Sequence, residues 1–93
     1  MSETTILHLN LHREFFATIA AETKRIEYRA RIPYWKKRLE NRDYKFIQFR
    51  NGDATLAPEM LVEFRGVTKI RKWGKPHYAI NLGRVLKIKR WKA

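Results

Sequence analysis

Residues 24–39, with the sequence KRIEYRARIPYWKKRL, contain seven lysines or arginines and a single carboxylate, Glu27. On an extended strand, Glu27 and Arg29 share one face at a Cα separation of about 7 Å. A charge-assisted pair would fix both side chains and leave the Arg29 guanidinium able to donate to a phosphate or a base edge. Lys24, if it enters the same cleft, would bind a phosphate or shuttle a proton. The alternative is an exposed ion pair on a solvated strand face, which contributes little.

Three residues of this segment are also candidate catalytic groups of a metal-independent nuclease. Such an enzyme needs a group that activates the 2′-hydroxyl and cations that hold the phosphate. Lys24, Glu27 or Tyr28 could supply the first function, and Arg29 the second.

Aromatic residues lie between the cations, a mixture typical of proteins that stack single-stranded bases on rings while cations follow the backbone. Trp35, one helical turn before Leu39, is better explained by packing of a short helix onto the core. Residues 69–75 predict a flexible, basic loop in which Trp73 either stacks on a base or anchors the loop. The residues that we predict to bind RNA are Lys24, Arg29, Arg31, Tyr34, Lys36, Lys37, Arg38, Arg42, Arg50, Lys72, Trp73 and Lys75.

The formal net charge of +12 over 93 residues is the strongest feature of the composition. Residues 1–23 contain one arginine against three glutamates, so the positive charge lies in the rest of the chain. A polyanion is the usual reason for such an excess, and we expect a nucleic acid. The tail, residues 87–92, would add a general phosphate-attracting surface. A basic membrane-surface protein is disfavoured because no predicted helix pairs a basic face with a broad apolar one.

Several features that the sequence lacks lead us to predict no metal site, no cofactor and no membrane span. There is no cysteine, and the three histidines are scattered, so we predict no metal and no cofactor, and structural roles for the histidines. No apolar run approaches the ~18 residues of a membrane span, and the N-terminus is unlike a signal peptide. We therefore expect a cytoplasmic protein with no membrane partner.

Hydrophobic periodicity predicts a single mainly β (α+β) domain over residues 1–93. Alternation predicts strands at 4–12, 25–31 and 44–50 and two longer ones towards the C-terminus, with bulges or bends at Gly66 and Gly83. Helical spacing over 13–22, and Pro33 at a first turn, predict two short helices. This pattern favours a small, partly closed β-barrel with two or three helices at its ends.

The order of these elements resembles the ASCH domain, a relative of the PUA fold. The family's G-x-K-x-x-E-x-R signature follows the first helix, and Lys24, Glu27 and Arg29 match its K, E and R, whereas Glu22 replaces its glycine. The resemblance covers about Leu7 to Ile88. It implies a PUA-like barrel that acts on RNA, with the cleft around these three residues.

Members of the ASCH family are described as RNA-binding modules, as ribonucleases and as amidohydrolases of N4-acetylcytidine. The amidohydrolase pattern has a threonine nucleophile three residues after the lysine, where this chain has Glu27, and a carboxylate cannot replace that acyl acceptor without changing the mechanism. The resemblance thus implies an RNA-binding module first, then a ribonuclease, and less readily an amidohydrolase. A purely structural basic subunit of a ribonucleoprotein is a further alternative.

Overall fold

The computed structural model describes residues 5–92, and its elements follow the periodicity of the sequence. Half of the described residues are in strands, so the mainly β prediction with two short helices is confirmed. Thr4, at the start of the first predicted strand, lies outside the described residues. The elements are β1 (Ile6–Asn10), α1 (Arg13–Ala20), β2 (Ile26–Ala30), α2 (Pro33–Leu39), β3 (Phe46–Arg50), β4 (Glu59–Lys72) and β5 (Lys75–Lys89).

All five strands belong to one mixed sheet in the order β1-β3-β4-β5-β2. β1 and β3 are parallel, and the other neighbours are antiparallel. The sheet is open and not a closed barrel, since among residues 5–92 no ladder joins the edge strands β1 and β2. A side chain spans this gap instead: Nη2 of Arg29 on β2 donates to the carbonyl oxygen of Asn10 at the end of β1, at 3.2 Å.

The long β4–β5 hairpin bends in the middle, and it pairs with β3 on one side and with β2 on the other. Its register shifts three times between Leu61 and Val67, and Gly66 has a φ of 105°, a conformation that favours glycine. The start of β4 pairs with β3, whereas β2 pairs with β5 over His77–Asn81. Gly83 lies opposite the shifted segment, where an added Cβ would meet Glu63 and Arg65. The predicted bends at both glycines are confirmed.

The core lies on one face of the sheet, against α1. Alternate residues of β1, β3 and β4 are buried, as are Phe16 and Ile19 on the inner face of α1. Burial of each such side chain contributes about 1.5–3 kcal/mol. Leu39 is buried and Trp35 packs beside it, as predicted for α2. Neither helix of residues 5–92 has the length and apolar character required to span a membrane.

The prediction of a flexible basic loop over residues 69–75 is wrong. β4 continues to Lys72 and β5 begins at Lys75, so only Trp73 and Gly74 form the turn. Both have positive φ, 53° and 72°, as a type I′ hairpin turn requires. Trp73 is therefore held at the tip of a regular hairpin, with 79% of its surface exposed.

Candidate nucleic-acid interface

Glu27 lies at the centre of a cluster of charges at the start of β2. Only 6% of its surface is exposed, and it is the one buried charged residue among those described. Its Oε2 atom lies 3.1 Å from Nη2 of Arg29, and its Oε1 atom lies 3.7 Å from Nζ of Lys24. The predicted Glu27–Arg29 pair is thus present, and Lys24 joins it. One carboxylate holds two cations, so the cluster keeps a net positive charge.

Burial raises the pKa of the Glu27 carboxyl above its ordinary value, and the neighbouring Arg29 and Lys24 oppose this shift. Desolvation disfavours the charged carboxylate, while each cation favours it, and here desolvation is the larger effect. The side chain therefore has both the position to orient two cations and the proton affinity to exchange a proton.

Arg29 has contacts beyond Glu27, and they fix the plane of its guanidinium. Nη2 also donates to the carbonyl of Asn10, and Cζ lies 4.9 Å from the centre of the Trp35 ring. The Nε atom is buried and has no hydrogen-bond partner within the described chain. A buried donor without a partner is costly, and a bound acceptor would relieve that cost.

A cleft of about 510 Å³ opens beside the Glu27 cluster, between the β1–α1 and β3–β4 connections. Asn10 joins these two connections: its Nδ2 donates to Asp53 Oδ1 at 2.8 Å, and its Oδ1 accepts from the Gly52 amide at 2.8 Å. Arg13, at the start of α1, also lines the cleft. We call this space the Glu27 cleft.

On the other side of Glu27 lies a pocket of about 450 Å³, which we call the aromatic pocket. Lys24 Nζ lies 5.3 Å from the centres of both the Phe15 and Tyr28 rings. Lys72 Nζ lies 4.1 Å from the Tyr28 ring and 4.4 Å from the Trp73 ring. Aromatic faces and cations therefore alternate, an arrangement suited to bases and phosphates.

The structure separates the predicted site residues into three groups. Lys24, Glu27, Tyr28, Arg29, Lys72 and Trp73 line the Glu27 cleft or the aromatic pocket. Tyr34 and Arg50 line a neighbouring pocket that also includes Arg29. The remaining predicted residues line none of these three pockets; they are Arg31, Lys36, Lys37, Arg38, Arg42 and Lys75. Several of them serve local structure, since Arg38 donates to the Tyr34 carbonyl and Arg42 to the Lys37 carbonyl.

Sequence reasoning missed the residues that the β1–α1 connection brings to the cleft. Asn10, His12, Arg13 and Phe15 come from a segment of low net charge, so no local charge pattern marked them. His77, which was predicted to be structural, lines the aromatic pocket, where its ring lies 5.8 Å from that of Trp73. A signal was available only for Asn10 and His12, as polar residues at the end of an amphipathic strand.

Metal-ligating side chains do not converge anywhere in residues 5–92: no three histidine, aspartate or glutamate residues are grouped as a metal site requires. Comparisons with known proteins also give no assignment. No protein-family model, curated protein or solved structure matches the chain.

Proposed function

We propose that this protein is a cytoplasmic RNA-binding module of the ASCH type, and that it binds a single strand at the Glu27 cleft and the aromatic pocket. The observation that carries the proposal is the buried carboxylate of Glu27, which orients Lys24 and Arg29 in a cluster that keeps a net positive charge. A buried acid among cations orders their side chains before binding, which reduces the entropy lost on binding.

The chemistry of the two pockets supports a nucleic acid over a small anion. Exposed or half-buried rings of Tyr28 and Trp73 lie beside Lys24 and Lys72, so that bases and phosphates both find partners. The net charge of +12 supplies long-range attraction to a polyanion. A small anion would bind to the cations alone and would not need the aromatic rings.

The ASCH assignment, with its PUA-like barrel, is part of the same proposal. It is supported by the K-x-x-E-x-R pattern at Lys24–Arg29, which connects the first helix to the second strand. The hydrogen bond from Arg29 to Asn10, which joins the two edge strands of the sheet, is compatible with a partly closed barrel.

The test compares the direction in which RNA affinity changes when each of two glutamates is removed. Glu27→Ala removes the acid of the cleft, whereas Glu22→Ala removes an exposed glutamate that pairs with Arg25 at the same i,i+3 spacing. Both variants gain one positive charge, so general electrostatics would strengthen RNA binding equally in both. We expect Glu27→Ala to weaken binding about tenfold, because disorder of two long side chains costs ~0.5–1.5 kcal/mol each.

Binding is measured by fluorescence anisotropy with a labelled oligouridylate in EDTA, and circular dichroism checks that both variants fold. An oligodeoxyuridylate of equal length tests the contribution of the 2′-hydroxyl. Equal affinities of Glu27→Ala and Glu22→Ala would refute a role for the cleft. Equal binding of both oligonucleotides would widen the proposal to single-stranded nucleic acid in general.

One observation favours ribonuclease activity as a second candidate: the Glu27 carboxyl has a raised pKa and lies 3.7 Å from a lysine ammonium. Its carboxylate would accept the 2′-hydroxyl proton while the 2′-oxygen bonds to the adjacent phosphorus. The 5′-oxygen would leave with a proton from Lys24, giving a 2′,3′-cyclic phosphate. Cyclic-phosphate product in EDTA, lost in both Lys24→Ala and Glu27→Ala, would establish this activity. Binding without product would exclude it.

A further inference from the structure

We propose that the RNA path extends beyond the Glu27 cleft across the solvent-facing side of the sheet to Lys87 and Lys89. The protein would then bind a strand of several nucleotides through a second anion-binding pocket, distant from Glu27. This inference rests on the proposed function and adds an extended ligand and a second site to it.

Strand pairing aligns two rows of side chains on this side of the sheet. In β1, β3 and β4, the residue that separates one row from the other is buried; these residues are Leu9, Phe49 and Met60. Because side chains alternate between the two faces of a strand, the rows lie opposite the core. The first row is His8, Gln48, Leu61 and Lys87, and the second is Asn10, Arg50, Glu59 and Lys89.

These rows border a pocket of about 450 Å³, which we call the Glu59 pocket. Oε2 of Glu59 lies 2.9 Å from Nη1 of Arg50 and 3.6 Å from Nη2 of Arg90. One acid again holds two cations, as at Glu27. Lys87 and Lys89 line the same pocket, are exposed, and make no salt bridge within residues 5–92. The pocket therefore has a surplus of positive charge that can bind a phosphate.

A third pocket, of about 370 Å³, connects the Glu59 pocket to the Glu27 cleft. It shares Asn10 and Arg29 with the cleft, and Gln48 and Arg50 with the Glu59 pocket. Tyr34, which is 53% exposed, lines this connecting pocket and offers a ring between the two groups of cations.

The four adjoining pockets each have at least two lysines or arginines in their linings. Cations with rings between them suit a nucleotide chain, in which each phosphate alternates with a base. The molecule measures 35 Å along its longest axis, so a path across it exceeds the size of one nucleotide. A small domain of this kind binds on the order of 4–16 nucleotides.

The experiment compares labelled oligouridylates of about 3 and about 12 nucleotides, shorter and longer than the path. Affinities are measured by anisotropy over a series of salt concentrations, for the wild type and for Lys87→Gln/Lys89→Gln. The double variant should weaken binding of the short oligomer no more than the control described below does. For the long oligomer, loss of two phosphate contacts should lower the salt slope by about 1.4 and weaken binding about tenfold near physiological salt.

The matched control is Lys45→Gln/Arg84→Gln, which removes the same charge from two exposed residues that line none of these pockets. Its lower net charge should weaken binding of either oligomer only slightly, through general electrostatics. Equal losses from the two double variants, or equal weakening of short and long oligomers, would overturn the extended path and leave the proposed function standing. Failure of the wild type to bind either length would refute the proposed function and the path with it.

Discussion

Replacing Arg29 with lysine would keep the charge of the Glu27 cleft and remove its planar guanidinium. Lysine can still pair with Glu27. It cannot at the same time donate to the Asn10 carbonyl and stack on Trp35, both of which Arg29 does. The variant therefore tests geometry at constant net charge.

The expected loss follows from these contacts. A hydrogen bond from a charged donor contributes about 1.5–3 kcal/mol, and lysine loses the second donor of a forked contact to phosphate. Binding of single-stranded RNA should therefore weaken by about 2 kcal/mol, or about thirtyfold. Loss of the Asn10 bond, at about 1.5–3 kcal/mol, and of the cation–π contact, at about 0.5–1 kcal/mol, should lower the free energy of unfolding by about 2–4 kcal/mol. A domain of this size remains folded after such a change.

Anisotropy with a labelled oligouridylate measures the binding, and urea unfolding measures the stability. Arg25→Lys is the matched control, because Arg25 forms an exposed pair with Glu22 and lines neither the Glu27 cleft nor the aromatic pocket. We expect this control to bind within about fivefold of the wild type, since exposed pairs contribute ~0–1 kcal/mol. Wild-type affinity in Arg29→Lys would refute the claim that the guanidinium plane matters. Equal losses in both variants would show that the site is not localised at Arg29.

Three further predictions concern single side chains. Trp73→Asn should keep or raise the melting temperature, because Asn-Gly favours the type I′ turn. RNA binding should weaken by ~1–3 kcal/mol, because one stacked base is lost. An unchanged affinity would show that Trp73 does not stack on a base. Burial raises the pKa of Glu27 above 4.5, so its contribution to the free energy of unfolding is fully present below that pH and is lost as the pH rises through the raised pKa. Urea unfolding of Glu27→Gln should lack this decline, and a parallel decline in both proteins would contradict the assignment. Burial, together with the hydrogen bond that the Tyr78 hydroxyl donates to Glu40, raises the pKa of Tyr78 from 10.0 to about 12. The free energy of unfolding should therefore fall between these pH values in the wild type, and fall less in Tyr78→Phe. An ultraviolet titration that finds no tyrosine ionising near pH 12 would contradict this prediction.

Local sequence patterns determined where the strands and helices form and which of their side chains are buried. Alternation over residues 6–10, 26–30 and 46–50 produced strands, and Pro33 starts the second helix. The charge-bearing face of β2 was also visible, since Glu27 and Arg29 are two residues apart on a strand. Periods of two and 3.6 residues depend only on the chain itself, so a single sequence suffices to identify them.

Only the tertiary structure decided which cations lie near Glu27. Lys72 and Trp73 reach its neighbourhood because β2 pairs with the part of β5 that follows their turn, whereas Lys36 and Lys37, much nearer in sequence, line neither pocket beside Glu27. The order β1-β3-β4-β5-β2 also brings Asn10 to Arg29 across the open side of the sheet. Strand order depends on contacts between residues far apart in the chain. A local pattern in one sequence carries no information about them, so the lining of the site emerged only from the folded arrangement.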